Sequence, residues 1–126
     1  MASRKTIMSN PVVHFEIGCR DLGKTDGFYT SMFDWNTSDY GPLSRSIDTK
    51  TKEGIQGFIT ALGHEPHNYV MMYVTVDDVK ASVEKAVQLG GTELVPPTEI
   101  PGIGTFAWIA DPDGNQVGLW KPTAEE

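Results

Sequence analysis

The residues best equipped for chemistry in this chain are His14 and Glu16, two positions apart in the segment PVVHFEIGCR. An imidazole beside a carboxylate can contribute to a divalent-ion site, or trade a proton with a bound molecule as an acid–base pair. Alternation across Val12–Cys19 sets Val13, Phe15, Ile17 and Cys19 on one side of a strand. Val12, His14, Glu16 and Gly18 fall on the other. The first side suits a core; the second faces a cavity or water. Two residues along a strand span about 7 Å, awkward for one shared ion. His64 and His67, in the loop GHEPH, reach the same place only if that loop folds over it. Beyond proximity, nothing argues for His14 and Glu16 as an acid–base pair. No nucleophile–base arrangement or zinc-finger spacing is present, and Pro101–Gly104 precedes a strand rather than the helix that a dinucleotide fingerprint needs. Cys19 is the single cysteine, so it makes no intramolecular disulfide, and its apolar strand position reads as a buried reduced thiol.

The elements that must position these residues are regular. Asp21 suits a helix N-cap, and Phe28, Tyr29, Met32 and Phe33 recur at helical spacing, with Gly27 a weak point and Trp35 and Asn36 closing the unit. Leu43–Asp48 and Ile55–Leu62 read as strands separated by the turn-prone TKTKEG. Met71–Gly91 then repeats the opening: strand, Asp78 cap, and a helix with the stripe Val79, Val83, Ala86, Val87 that stops at Gly90–Gly91. A slide of 57 positions lays Asp21-Leu22 on Asp78-Val79 and Ile17 on Val74. Three short strands follow, Thr92–Ile100, Thr105–Ala110 and Gln116–Trp120, the last two joined by the turn ADPDGN. The order is β-α-β-β, then β-α-β-β-β, with an extra first-half strand that the pattern does not place. Too few copies for a solenoid, the repeat implies two similar modules sharing one core. They span about 11–66 and 67–122 within a single domain, after a flexible 1–10 and before a tail at 123–126.

Bulk properties narrow the function. The 126 residues carry a net charge of −7, which argues against a nucleic-acid or anionic-membrane surface, since both need a basic footprint. No stretch approaches the ~20 apolar residues of a membrane helix, and the N-terminal segment lacks the apolar core of a signal peptide, so a cytoplasmic protein is expected.

Taken as an ordered set, these residues resemble the glyoxalase / bleomycin-resistance / extradiol-dioxygenase superfamily, also called the vicinal oxygen chelate superfamily. The features that carry the resemblance are His14 in the first strand, the following Asp21-Leu22, Phe28-Tyr29 and Trp35, the VDDV of 76–79 before a helix ending in Gly-Gly, and GTFAWIADPDGNQVGLW at 104–120. The match spans about residues 11–121. It implies an α+β fold of paired βαβββ modules, a curved sheet around a cleft, and a homodimer. In metal-dependent members the cleft holds one divalent ion, with His or Glu from the first and last strand of each module, and the ion stabilises an enediolate or activates oxygen.

Measured against that pattern, His14 is the only surviving metal candidate. Its repeat counterpart is Met71, a soft thioether poorly suited to such ions. The family's glutamate falls on Gly118, and Ile55–Leu62 offers only the neutral oxygens of Gln56 and Thr60. A stable site needs about three protein ligands, so no cofactor is expected. The alternation names the ligand pocket as His14, Glu16, Met71, Tyr73, Gln116, Gly118 and Trp120, with Thr75 on the same strand face as Tyr73. Phe106 and Trp108 share one face of their strand, and the pattern does not say which. Three readings follow. The first is a small-molecule-binding protein without the usual metal. The second is a metal-dependent lyase, isomerase or dioxygenase in which His14 is joined by Glu16, Glu99 or a loop histidine. The third is a structural or interaction domain whose cleft is filled by Met71, Tyr73 and Trp120.

Overall fold

The computed structural model describes residues 9–63 and 66–123. His64, and with it part of the expected loop, lies outside the described residues, as do residues 1–8 and 124–126 of the expected tails. The element order is β1 (Val12–Gly18), α1 (Leu22–Phe33), β2 (Asn36–Asp39), β3 (Ser44–Asp48), β4 (Gln56–Thr60), β5 (Tyr69–Thr75), α2 (Val79–Gln88), β6 (Thr92–Ile100), β7 (Gly104–Ala110) and β8 (Gln116–Pro122). This is βαβββ twice over, an α+β chain. The extra first-half strand is β2, whose NTSD has no apolar alternation and only Thr37 as a β-branched residue to announce it.

Two compact units divide between Met72 and Tyr73, within β5. The repeat placed the module boundary nearer 66/67. Residues 9–12 group with 73–123, tied there by Thr75 N donating to Pro11 O at 2.9 Å and Asn10 Nδ2 donating to Thr75 O at 3.0 Å.

In the unit 13–72 the strands run in the order β2-β3-β4-β1, with β1 parallel to β4 and the other pairs antiparallel. Ile17, Cys19, Ile47 and Ile59 form the buried core, with Phe15, Leu22, Tyr29, Trp35 and Ala61 packed on it. The apolar side of β1 therefore lies where alternation put it, and the Cys19 thiol is buried. Helix α1 starts as expected, the Asp21 side chain accepting from Lys24 N at 3.0 Å. It ends at Asp34 in the left-handed region, φ 60°. Its apolar residues do not form a buried face, however. None is buried, and Phe28, Met32 and Phe33 are 59%, 62% and 50% exposed. Leu22 and Tyr29 pack on the core, and polar ties add to that seating: Asp26 accepts from Thr37 Oγ1 at 2.7 Å and pairs with Arg45, whose Nε also meets Asp39 at 3.0 Å. Tyr29 stacks on Trp35, ring centroids 5.8 Å apart.

In the other unit the order is β5-β8-β7-β6, again one parallel pair, β5 with β8, and antiparallel pairs beyond it. Val76, Val79, Val83, Ala107 and Leu119 form its core, with Ile109 against them. Helix α2 is amphipathic in the ordinary way: Asp78 caps it through Ala81 N at 2.9 Å, and Val79 and Val83 are its buried residues while Val87 stays half exposed.

Candidate functional site

The second face of β1 is where the chemistry concentrates in the unit 13–72. Register sets His14 beside Gln56, Glu16 beside Phe58 and Gly18 beside Thr60, and β3 adds Ser46 opposite Phe58 and Ser44 opposite Thr60. Residues directly opposite on paired strands share a face, so this one mixes an imidazole, a carboxylate, hydroxyls and an aromatic ring. The His14 ring meets Phe58 edge-on, centroids 5.6 Å apart, and the Tyr40 ring centroid lies 5.0 Å from that of Phe58. Desolvation by partial burial lowers the His14 pKa below 6.5, so the imidazole is neutral at neutral pH and offers one donor and one acceptor.

Glu16 is buried, and its Oε2 accepts from the Tyr69 hydroxyl at 2.5 Å. A buried carboxylate needs such a partner, because desolvating it unpaired is costly. The Tyr69 ring reaches it by lying over Gly18, whose missing Cβ would sit 2.2 Å from the ring. Glycine is thus required at 18 by close approach. Tyr69 was not foreseen from sequence; its place on the Tyr73 side of β5, two residues before Met71, is the signal that could have found it.

The remaining candidates divide between the two units. Met71, also in the unit 13–72, is 3% exposed. In the unit that begins at Tyr73, Tyr73 pairs with Gly118 in register, and its ring atoms stand 2.4 Å from where a Cβ at 118 would be. Trp108 Nε1 donates to the Tyr73 hydroxyl at 2.8 Å, a buried bond. Trp108 is opposite Gly118, and Phe106 opposite Trp120, which puts that strand pair of aromatics on the face of Gly118 and Tyr73. Gln116 and Trp120 are half-buried on β8, Thr75 is half-buried at the end of β5, and Glu99 is exposed on β6.

The divalent ion that the resemblance implies can be tested against these donors. Among the described residues, no group of three or more His, Cys, Asp or Glu is placed to hold one. Gly118 brings no donor, and the space its side chain would take is filled by the Tyr73 ring. Glu16 is already engaged by Tyr69. Among the described residues, these donors do not fit the ion.

Eight strands and two helices, in the order of a βαβββ module given twice, set the chain beside known proteins. Residues 13–120 match the glyoxalase-like domain family. The chain belongs to that family. Among curated glyoxalase-like relatives, a glyoxylase-named protein, CFP32, from Mycobacterium bovis is 34% identical over 113 residues, covering 80% of this chain and 43% of its own length. The anthracycline biosynthesis protein DnrV of Streptomyces peucetius is 26% identical over 124 residues, covering 85% of this chain and 45% of its own. The chain thus spans less than half the length of these relatives. Solved structures share the glyoxalase fold. A glyoxalase/bleomycin resistance protein/dioxygenase superfamily member from Vibrio splendidus 12B01 superposes with TM-score 0.60 at 15% identity, covering 90% of this chain and 99% of that one. A methylmalonyl-CoA epimerase in complex with methylmalonyl-CoA and NH4+ gives TM-score 0.62 at 17% identity, covering 93% and 97%. No helix among the described residues is long and apolar enough to cross a membrane.

Proposed function

We propose that this glyoxalase-like domain binds a small organic molecule without the divalent ion of its metal-dependent relatives. The observation that carries the reading is the Tyr73 ring lying over Gly118, its hydroxyl held by Trp108. Where a carboxylate ligand would project, an aromatic residue is packed and hydrogen-bonded. The binding surface is the His14 face of β1 and β4. Phe58 and Tyr40 offer ring surface, His14 lines it with its imidazole, and Ser46 adds a hydroxyl. Polar groups fixed on a strand face orient a bound molecule against the ring surface of Phe58 and Tyr40. Glu16, held by Tyr69, lies beside that surface.

A thermal-shift screen of small aromatic and oxygenated molecules tests this, run on protein stripped with EDTA. Ligands found there are expected to bind equally with and without the chelator and to weaken about tenfold with Phe58→Ala, which removes ring surface worth roughly 1–2 kcal/mol. Ligands whose binding vanishes with EDTA would overturn it. The burial of Met71 and Tyr73 at 3% and 6% favours a second reading, a domain that keeps the fold without a ligand; it predicts that no molecule in the screen shifts the melting temperature.

A further inference from the structure

The unit 13–72 holds a cavity of about 400 Å³ whose lining includes none of His14, Tyr40, Ser46 or Phe58. It opens between the C-terminal end of β1, the first turns of α1 and the start of β5. Phe28, Tyr29, Tyr69 and Val70 supply apolar surface, and Lys24 and Asn68 border it with polar groups. The volume lies in the range of small-ligand sites.

We propose that this cavity binds a small organic monocarboxylate with an aromatic body. Charge is the first reason. The chain has 17 Asp and Glu against 10 Lys and Arg, yet Lys24 is the sole charged residue among those lining the cavity. A local cation without an acidic neighbour in the lining selects against the sign of the surrounding surface. The second reason is uncovered apolar area. Phe28 is 59% and Val70 72% exposed, and α1 buries no residue, so the cavity rim carries aromatic and aliphatic surface that a ligand's body would cover. The third is a fixed wall. Tyr69 cannot swing freely: its ring rests on Gly18 and its hydroxyl is bonded to Glu16, so the ring face is in place before a ligand arrives. The carboxylate takes the Lys24 ammonium and the Asn68 amide; the ring of the ligand lies among Phe28, Tyr29 and Tyr69.

The proposal does not depend on the His14 face, and one titration separates the two. With 15N-labelled protein, 4-phenylbutyrate at low-millimolar concentration is expected to shift the amides of Gly18, Thr25 and Asn68 and leave those of Ser46 and Phe58 in place. Its neutral analogue, 4-phenylbutanamide, binds about fivefold more weakly, the scale of one solvent-facing ion pair. Lys24→Gln, at an exposed position, brings the acid down to the affinity of the amide without altering the amide's own. Phe28→Ser, also exposed, weakens both probes. Shifts confined to the Ser46 and Phe58 face, an absence of shifts, or equal binding of acid and amide by the wild type would each overturn the assignment.

Discussion

Replacing Gly118 by alanine probes the packing of the Tyr73 ring against β8. A Cβ there would stand 2.4 Å from two atoms of the Tyr73 ring and 2.8 Å from a third, so the ring must move. It is poorly placed to do so. Tyr73 is 6% exposed, and its hydroxyl accepts from buried Trp108 Nε1 at 2.8 Å, a bond that the displacement breaks or bends. Overpacking a tight site costs about 1–3 kcal/mol, and losing the hydrogen bond about another 1 kcal/mol. Gly118→Ala is therefore expected to lower unfolding stability by roughly 2–4 kcal/mol, read by urea denaturation followed by circular dichroism. Tyr73→Ala is costly by itself, about 3–5 kcal/mol for a large aromatic. In that background, however, Gly118→Ala meets no ring and should add less than about 0.5 kcal/mol. The double-mutant cycle then shows a coupling of about 2 kcal/mol or more in favour of the pair. A Gly118→Ala protein within about 0.5 kcal/mol of wild type, or one equally destabilised with and without the Tyr73 ring, would refute the reasoning.

Helix α1 should loosen on its own when its polar ties are cut. Asp26→Ala removes the acceptor for Thr37 and Arg45, and is expected to cost about 1–3 kcal/mol. Hydrogen exchange should show α1 amides losing protection while α2 amides keep theirs; equal change in both helices counts against this account. His14 supplies a pH dependence. Its folded pKa is lowered beneath 6.5 by desolvation, so the unfolded chain binds the proton more readily, and stability falls as pH drops below about 6.5 towards the folded value. His14→Gln removes that titration. Between pH 7.5 and 5.5 the wild type should therefore lose more melting temperature than the variant, and an equal loss would show that His14 is not responsible.

Much of the frame was legible because it rests on local rules. Asp21 and Asp78 cap helices through the backbone of the third residue on, a relation visible in a few letters. Alternation in β1 separated Phe15, Ile17 and Cys19 from His14 and Glu16 correctly, because one face had to be apolar. Contacts set by register were harder. That Tyr73 lies over Gly118, or Tyr69 over Gly18, depends on which strands pair and how they are offset, and residues 45 or more apart carry no periodic trace of it. The polar part of the seating of α1 was hidden for a related reason. Phe28, Tyr29, Met32 and Phe33 keep helical spacing, yet the helix is also held by Asp26 to Thr37 and Arg45, 11 and 19 residues away. Strand β2 was missed because NTSD is short and polar, pairing through its backbone rather than by an apolar face.

The metal content of the purified protein bears most directly on the central proposal. Wild type and His14→Ala would be incubated in turn with zinc, nickel, manganese and ferrous iron, freed of excess ion by gel filtration, and measured by elemental analysis. The account predicts less than about 0.1 equivalent of each metal in both proteins, because about three protein ligands are needed to retain one. About one equivalent in the wild type, lost in His14→Ala, would contradict it.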